Sequence, residues 1–174
     1  MYENVLDPCA FGGCSALLAD VLLMFAHVRL AGGCSPTWQK NIICSSNRDF
    51  DHITEIYMLS DHLIGELPPS FTNFKQLRSL SFVDTKIGGV LPANMGDMTA
   101  LEMIWLDHNP ELGGVVPASL AKLDLSVLEL HRSGFEGTLP PMAYTEIPDC
   151  TLNDLVFKCP LPDGANTCGA LCVK

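Results

Sequence analysis

From Cys44 to Cys150 the sequence has no cysteine at all, so the middle of the chain cannot be held by disulfides and must be held by packing. Charge is also scarce. Charged residues make up 17% of the 174, and no run of five or more like charges occurs, which leaves no interaction tail of either sign. The few charges that are present sum to −10, a balance that repels phosphate backbones and anionic headgroups, and nucleic acid is excluded as a partner. No apolar run reaches the eighteen or so residues that a membrane span requires. The chemistry-bearing signatures are missing as well: there is no HExxH, no nucleophile elbow and no phosphate-binding glycine loop. Gly88-Gly89 and Gly113-Gly114 belong to repeated turns, and the only approach to a glycosylation sequon is the rare variant Asn166-Thr167-Cys168. No enzyme activity, cofactor or metal is expected.

What the chain does have is 48% hydrophobic residues, enough for one packed domain, and eight cysteines confined to its ends. They stand at 9, 14, 34 and 44, then at 150, 159, 168 and 172. An even count with no zinc-finger Cys-x-x-Cys pair favours disulfides and an oxidising compartment, hence a secreted or cell-surface location. Pairing between sequence neighbours gives Cys9–Cys14, Cys34–Cys44, Cys150–Cys159 and Cys168–Cys172, although four cysteines at one end permit three pairings. Ala16 to Val28 is an apolar stretch followed by the small residues Ala31, Gly32 and Gly33, the outline of a signal peptide. Asp20, His27 and a preceding segment with Glu3 and Asp7 but no Lys or Arg speak instead for an amphipathic N-terminal helix packed on the first coil of the fold. A start codon upstream of the true one is a third reading.

Periodicity is the dominant signal. Pro68, Pro92, Pro117 and Pro140 are 24, 25 and 23 residues apart, and the segments ending on them all fit L-x-x-L-x-L-x-x-N-x-L-x-G-x-L-P. Positions 1, 4 and 6 hold Ile53, Ile56, Met58; Leu77, Leu80, Phe82; Leu101, Ile104, Leu106; and Leu125, Leu128, Leu130. On a short strand these side chains point inward, and stacked coils bury a core that no single repeat could make. Position 9 holds Asp61, Thr85, Asn109 and Ser133, each able to bond the backbone of a neighbouring coil. Position 13 is glycine throughout (Gly65, Gly89, Gly114, Gly137), where the chain bends. After the proline, Phe71 and Phe74, Met95 and Met98, and Leu120 and Leu123 have the spacing of one helical turn on the outer wall. A fifth, divergent unit puts Ile147, Cys150, Leu152, Phe157, Leu161 and Pro162 at positions 1, 4, 6, 11, 15 and 16.

With L-x-G-x-L-P in every unit, residues 53 to 162 resemble the plant-type subfamily of leucine-rich repeats. Thr85 and the closing C-x-L-x-x-x-x-F-x-C-P-L-P pattern are also similar to leucine-rich-repeat surface antigens of kinetoplastids and other protists. The resemblance implies a right-handed solenoid with parallel strands on the concave face, extended or 3-10 segments on the convex face, and disulfide-stapled ends. The implied organisation is a signal-like or helical segment at 1–33, an N-terminal cap at 34–52, four units at 53–146, and the fifth unit with a cysteine-rich cap at 147–174. The chain closes on Cys172, Val173 and Lys174 with no apolar tail, so no membrane span or glycolipid anchor is expected.

In such a solenoid the x positions of each strand form an outward grid. A band of Tyr57, Met103, Trp105 and Val127, rimmed by Asp107, His108, Glu129, His131 and Arg132, has the composition of a binding hot spot. Asp107, His108 and His131 fall on adjacent units, but an open sheet ordinarily leaves such groups solvated, and they are read as surface. The functional expectation is a non-catalytic extracellular scaffold that binds a protein or peptide, with a glycan as a further candidate. The alternatives are a surface-coat antigen without a dedicated ligand and the remnant ectodomain of a longer receptor.

Overall fold

A computed structural model describes residues 42–44, 53–59 and 64–173. The segment 1–33, most of the stretch 34–52, Asp61, and the pairs Cys9–Cys14 and Cys34–Cys44 lie outside the described residues. Twelve strands are present among the described ones: β1 (Ile42–Cys44), β2 (Ile53–Leu59), β3 (Ile64–Glu66), β4 (Ser79–Val83), β5 (Lys86–Val90) and β6 (Met103–Trp105). They continue with β7 (Leu112–Val115), β8 (Val127–Glu129), β9 (Gly134–Glu136), β10 (Asp149–Thr151), β11 (Val156–Lys158) and β12 (Leu171–Val173).

The main sheet runs β1-β2-β4-β6-β8-β10, parallel except where β1 caps β2 in antiparallel fashion. Its register equates template positions: Ile56 faces Leu80, Leu80 faces Ile104, Ile104 faces Leu128 and Leu128 faces Cys150. The first three of these residues are fully buried and Leu128 is 1% exposed, so the expected inward row exists. Positions 1 and 6 behave alike: all eight residues from Ile53 and Met58 to Leu125 and Leu130 lie in the core. Each parallel strand exists because the coil returns the next aliphatic row onto the last, burying apolar surface worth roughly 25 cal/mol per Å².

Asn109 ties two coils together. Its amide, in a fully buried side chain, donates to the carbonyls of Phe82, Leu106 and Asp107, while its Oδ1 accepts from the Thr85 backbone N–H at 3.0 Å and the Thr85 hydroxyl at 2.6 Å. Ser133 uses its hydroxyl on the Leu130 carbonyl instead, within its own coil.

The glycines at position 13 all have positive φ, between 76° and 135°, a conformation an L side chain would strain. The outer wall is made of 3-10 turns at Pro69–Asn73, Met95–Asp97, Ala118–Lys122, Tyr144–Glu146 and Ala165–Cys168, burying Phe71, Met95, Leu120 and Tyr144. These turns stack closely. A Cβ on Gly96 would sit 1.8 Å from the Ser119 carbonyl oxygen, and the Gly96 N–H donates to the Ser119 hydroxyl at 2.9 Å.

Beyond the extended and 3-10 segments that the sequence implies, a second parallel sheet, β3-β5-β7-β9, flanks the core. Its register steps by two residues per coil: Gly65 faces Ile87, Gly89 faces Leu112 and Gly114 faces Phe135. A two-residue step conserves which face is inward, so the position-11 residues Ile87, Leu112 and Phe135 remain buried.

At the C-terminal end the disulfides differ from the neighbour pairs expected. Cys150 pairs with Cys168 and Cys159 with Cys172, at Cα separations of 5.0 and 5.2 Å, in place of Cys150–Cys159 and Cys168–Cys172. The reason is the way the tail imitates one more coil. Leu106 N–H donates to Glu129 O, Leu130 N–H to Thr151 O, and Leu152 N–H to Cys168 O, so Cys168 stands where position 5 of a sixth coil would be, beside Cys150. Strand β12 then runs parallel to β11 with Phe157 opposite Cys172, and Cys159 N–H donates to Val173 O. Stacking, and not separation along the chain, selects the partners.

Replacing Asn109 with Ala strands the buried Thr85 N–H and takes a donor from the Phe82 and Leu106 carbonyls, while Asp107 O keeps the Asp84 N–H; a buried group left unpaired costs about 1–3 kcal/mol. Asn109→Ala is expected to lower the unfolding free energy by about 3 kcal/mol or more in urea titration. A loss below about 0.5 kcal/mol, the level of an ordinary surface change, would contradict the ladder.

Candidate functional site

The outward columns of the main sheet are in register. Glu55, Ser79, Met103, Val127 and Asp149 form one row, and Tyr57, Ser81, Trp105, Glu129 and Thr151 the next. Strand spacing of about 4.8 Å makes Met103 and Val127 direct neighbours and puts Trp105 between Ser81 and Glu129. Met103, Trp105, Val127 and Glu129 are half-buried. The grid is uneven, because Ser79 is fully buried and Ser81 is 6% exposed: their short side chains are overshadowed by the larger Tyr57, Met103 and Trp105 in adjoining strands. Tyr57 leans across its neighbours. Its hydroxyl donates to Glu55 Oε2 at 2.6 Å and accepts from Ser79 Oγ at 3.2 Å. Burial, followed by the hydrogen bond to Glu55, pushes the Tyr57 phenol up.

Beyond position 6 the chain leaves the sheet through a residue in the left-handed conformation. Asp84, His108, Arg132 and Asp154 at position 8 have φ of 52°, 58°, 54° and 68°. The turned backbone lets Asp84 N–H donate to Asp107 O and His108 N–H to His131 O in the following coil. Only Asp and His among these residue types hint at a left-handed position; Arg132 gives no such signal. Sequence reasoning missed this row.

The turn gathers Asp107, His108 and His131. Asp107 is 4% exposed, which corrects its placement as an outward contact residue: it is roofed by the two imidazoles. His108 Nδ1 lies 2.8 Å from Asp107 Oδ2, His131 Nε2 lies 3.9 Å from the same oxygen, and the two rings meet edge to face at 5.0 Å. One ligand atom from each residue fits within 4.8 Å, so these three could hold a metal ion. Arg132 Nη1 stands 3.1 Å from His108 Nε2. A guanidinium only donates, so His108 Nε2 accepts and its Nδ1–H donates to Asp107 Oδ2. Arg132 is otherwise open to solvent, 3.9 Å from Asp154. Asp107 Oδ1 and His131 Nδ1 are buried and have no hydrogen-bond partner among the described residues.

Burial raises the Glu129 carboxyl above its ordinary value; the Asp149 and Asp107 carboxylates add to the rise and His131 opposes it. Tyr144, at the base of the outer wall, is likewise pushed up by burial, its hydroxyl donating to the Pro140 carbonyl at 2.9 Å. Among the described residues no helix is long and apolar enough to cross a membrane.

No protein-family model matches the chain. Over 92 residues, 53% of its length, the chain is 32% identical to Receptor-like protein 6 of Arabidopsis thaliana, a match spanning 9% of that relative's own length. The leucine-rich-repeat ectodomain of the receptor kinase SOBIR1 from Arabidopsis thaliana superimposes with a TM-score of 0.68 at 15% identity, over 86% of this chain and 85% of that one. The plant peptide hormone receptor RGFR1, solved in complex with RGF2, gives 0.56 at 22% identity, over 68% of this chain and 20% of that one. The fold is a leucine-rich-repeat solenoid.

Because Glu129 holds its proton more tightly folded than unfolded, its contribution to stability falls as pH climbs through the carboxylate range and stays unfavourable at neutral pH. Glu129→Gln is therefore expected to melt above the parent at pH 7 and to converge with it toward acid pH. A melting difference that is the same at both ends of that range would contradict the account.

Proposed function

We propose that the chain is a non-catalytic recognition scaffold that works outside the cell or at its surface and binds a protein or peptide along the main sheet. The contact residues are Tyr57, Met103, Trp105, Val127, Glu129, His108, His131 and Arg132, with Asp107 acting from beneath. The observation that carries this reading is the side-by-side register of Met103, Val127 and Trp105, half-exposed apolar side chains on the short central strands β6 and β8. Such a patch gains most from a partner that removes it from water, and Trp with Arg at its edge is the pairing that dominates binding energies in general.

Peptide recognition is favoured over other partners by similarity to receptors such as RGFR1, itself solved with RGF2. Two disulfides at the C-terminal end suit an oxidising exterior. A glycan stacked on Trp105 is a weaker reading of the same patch. A surface coat of the protist-antigen type would use the same stapled solenoid with no dedicated contact residues, and a remnant ectodomain would share the contact residues but act through a missing partner domain.

The test is selection of peptides from a random display library on the purified, disulfide-intact chain, followed by titration of the enriched peptides. Trp105→Ala should weaken them about tenfold or more. Val115→Ala, at an exposed position at the end of β7 in the second sheet, should leave them unchanged. Enriched peptides indifferent to Trp105 and lost with Val115 would move the site; failure to enrich any would favour the surface-coat reading.

A further inference from the structure

The cluster at the exit of β6 and β8 has a property that peptide recognition does not use: a buried carboxylate oxygen with nothing to bond. Asp107 is 5% exposed at its side chain, yet its Oδ1 has no hydrogen-bond partner among the described residues, and neither does the buried His131 Nδ1. Orphaned buried polar atoms are uncommon in native folds because each gives up its hydration for nothing. The orphaned Oδ1 is the second oxygen of a carboxylate whose Oδ2 already faces two imidazoles, and the three residues each offer one ligand atom within 4.8 Å of the others.

We propose that Asp107, His108 and His131 form a binding site for a divalent cation of the zinc class. Imidazole and carboxylate together suit zinc and its borderline neighbours better than the hard ions calcium or magnesium, which take oxygen ligands. Three protein ligands leave a fourth tetrahedral position for water, the arrangement of open zinc sites. Zinc bonds of about 2.0–2.1 Å put tetrahedral ligand atoms about 3.3 Å apart. The observed 2.8 Å from Asp107 Oδ2 to His108 Nδ1 and 3.9 Å to His131 Nε2 fall on either side of that value, and with all three ligand atoms within 4.8 Å of one another, side-chain rotation is what closes them around an ion. His108 and His131 are 35% and 21% exposed, which gives the ion a path in from solvent. The site bridges positions 7 and 8 of the third coil and position 7 of the fourth, so the cation links two repeats across the sheet.

Arg132 opposes binding. When His108 Nδ1 takes the metal, its proton is carried on Nε2, which then faces the Arg132 guanidinium at 3.1 Å as donor against donor. Binding therefore requires Arg132 to swing outward, and its side chain is 64% exposed and free to do so. Zinc affinity should be tunable at a residue that is not a ligand.

The experiment is calorimetric titration of ZnCl2 into the purified, disulfide-intact chain, with melting temperature recorded with zinc and with a chelator. One zinc per chain should bind at this cluster and raise the melting temperature. His108→Gln and His131→Gln, at part-exposed positions, should each weaken binding about tenfold or more and abolish the zinc-induced rise, each variant's melting with zinc being compared with its own melting in chelator. Asp107→Asn should weaken binding similarly, and Arg132→Gln should tighten it about threefold. Saturable binding that survives the His108→Gln, His131→Gln double variant, or no saturable binding below about 1 mM zinc, would overturn the site. Because the titration needs no peptide, its failure leaves the recognition reading intact, and the converse also holds.

Discussion

Constant coil length at the main sheet is the constraint on which the rest of the molecule depends. Ile53, Leu77, Leu101 and Leu125 recur every 24 residues even though the prolines that punctuate the turns do not. The third unit has one extra residue before its glycine, at Pro110 and Glu111, and the segment from Pro117 to Leu125 is one shorter than its predecessors. The gain and the loss cancel before the chain re-enters the sheet, so Ile104 and Leu128 still meet. Slippage by a single residue would turn every aliphatic side chain of a strand toward water. Irregularity is thus tolerated in the turns and the second sheet, where register steps by two, and not along the row running from Ile56 to Leu128.

The surface that remains for contact is a by-product of that register. Aligned rows place side chains of unlike size beside each other, and size decides which reach solvent: Ser79 and Ser81 vanish beneath Tyr57, Met103 and Trp105. Where the chain leaves the sheet, left-handed residues at position 8 fold the backbone over, and Asp107 is trapped under His108 and His131. Apolar contact area and a polar, partly desolvated cluster consequently lie on adjacent segments of β6 and β8, built by the same two coils.

The inward rows were legible in the sequence because they depend only on period: any strand with aliphatic residues at positions 1, 4 and 6 buries them if coils stack. Asn109 was legible for the same reason, as a polar residue at a fixed place in the period. The disulfide partners were not, since Cys168 reaches Cys150 only when the tail lies down as a sixth coil, a fact of stacking with no period of its own. Nor was the burial of Asp107, which comes from what His108 and His131 do above it. The left-handed turn is invisible at Arg132 because backbone hydrogen bonds to the next coil, and not the residue's own preference, hold it there.

Hydrogen exchange followed by mass spectrometry measures the stacked rows most directly. If successive coils lean on each other through one continuous core, the amides of Ser79–Val83, Met103–Trp105 and Val127–Glu129 should be the slowest to exchange and should do so together, through global opening. Exchange of any one of these strands as fast as the exposed end strand Leu171–Val173, while the others stay protected, would contradict a single core and leave the coils as separate, loosely joined units.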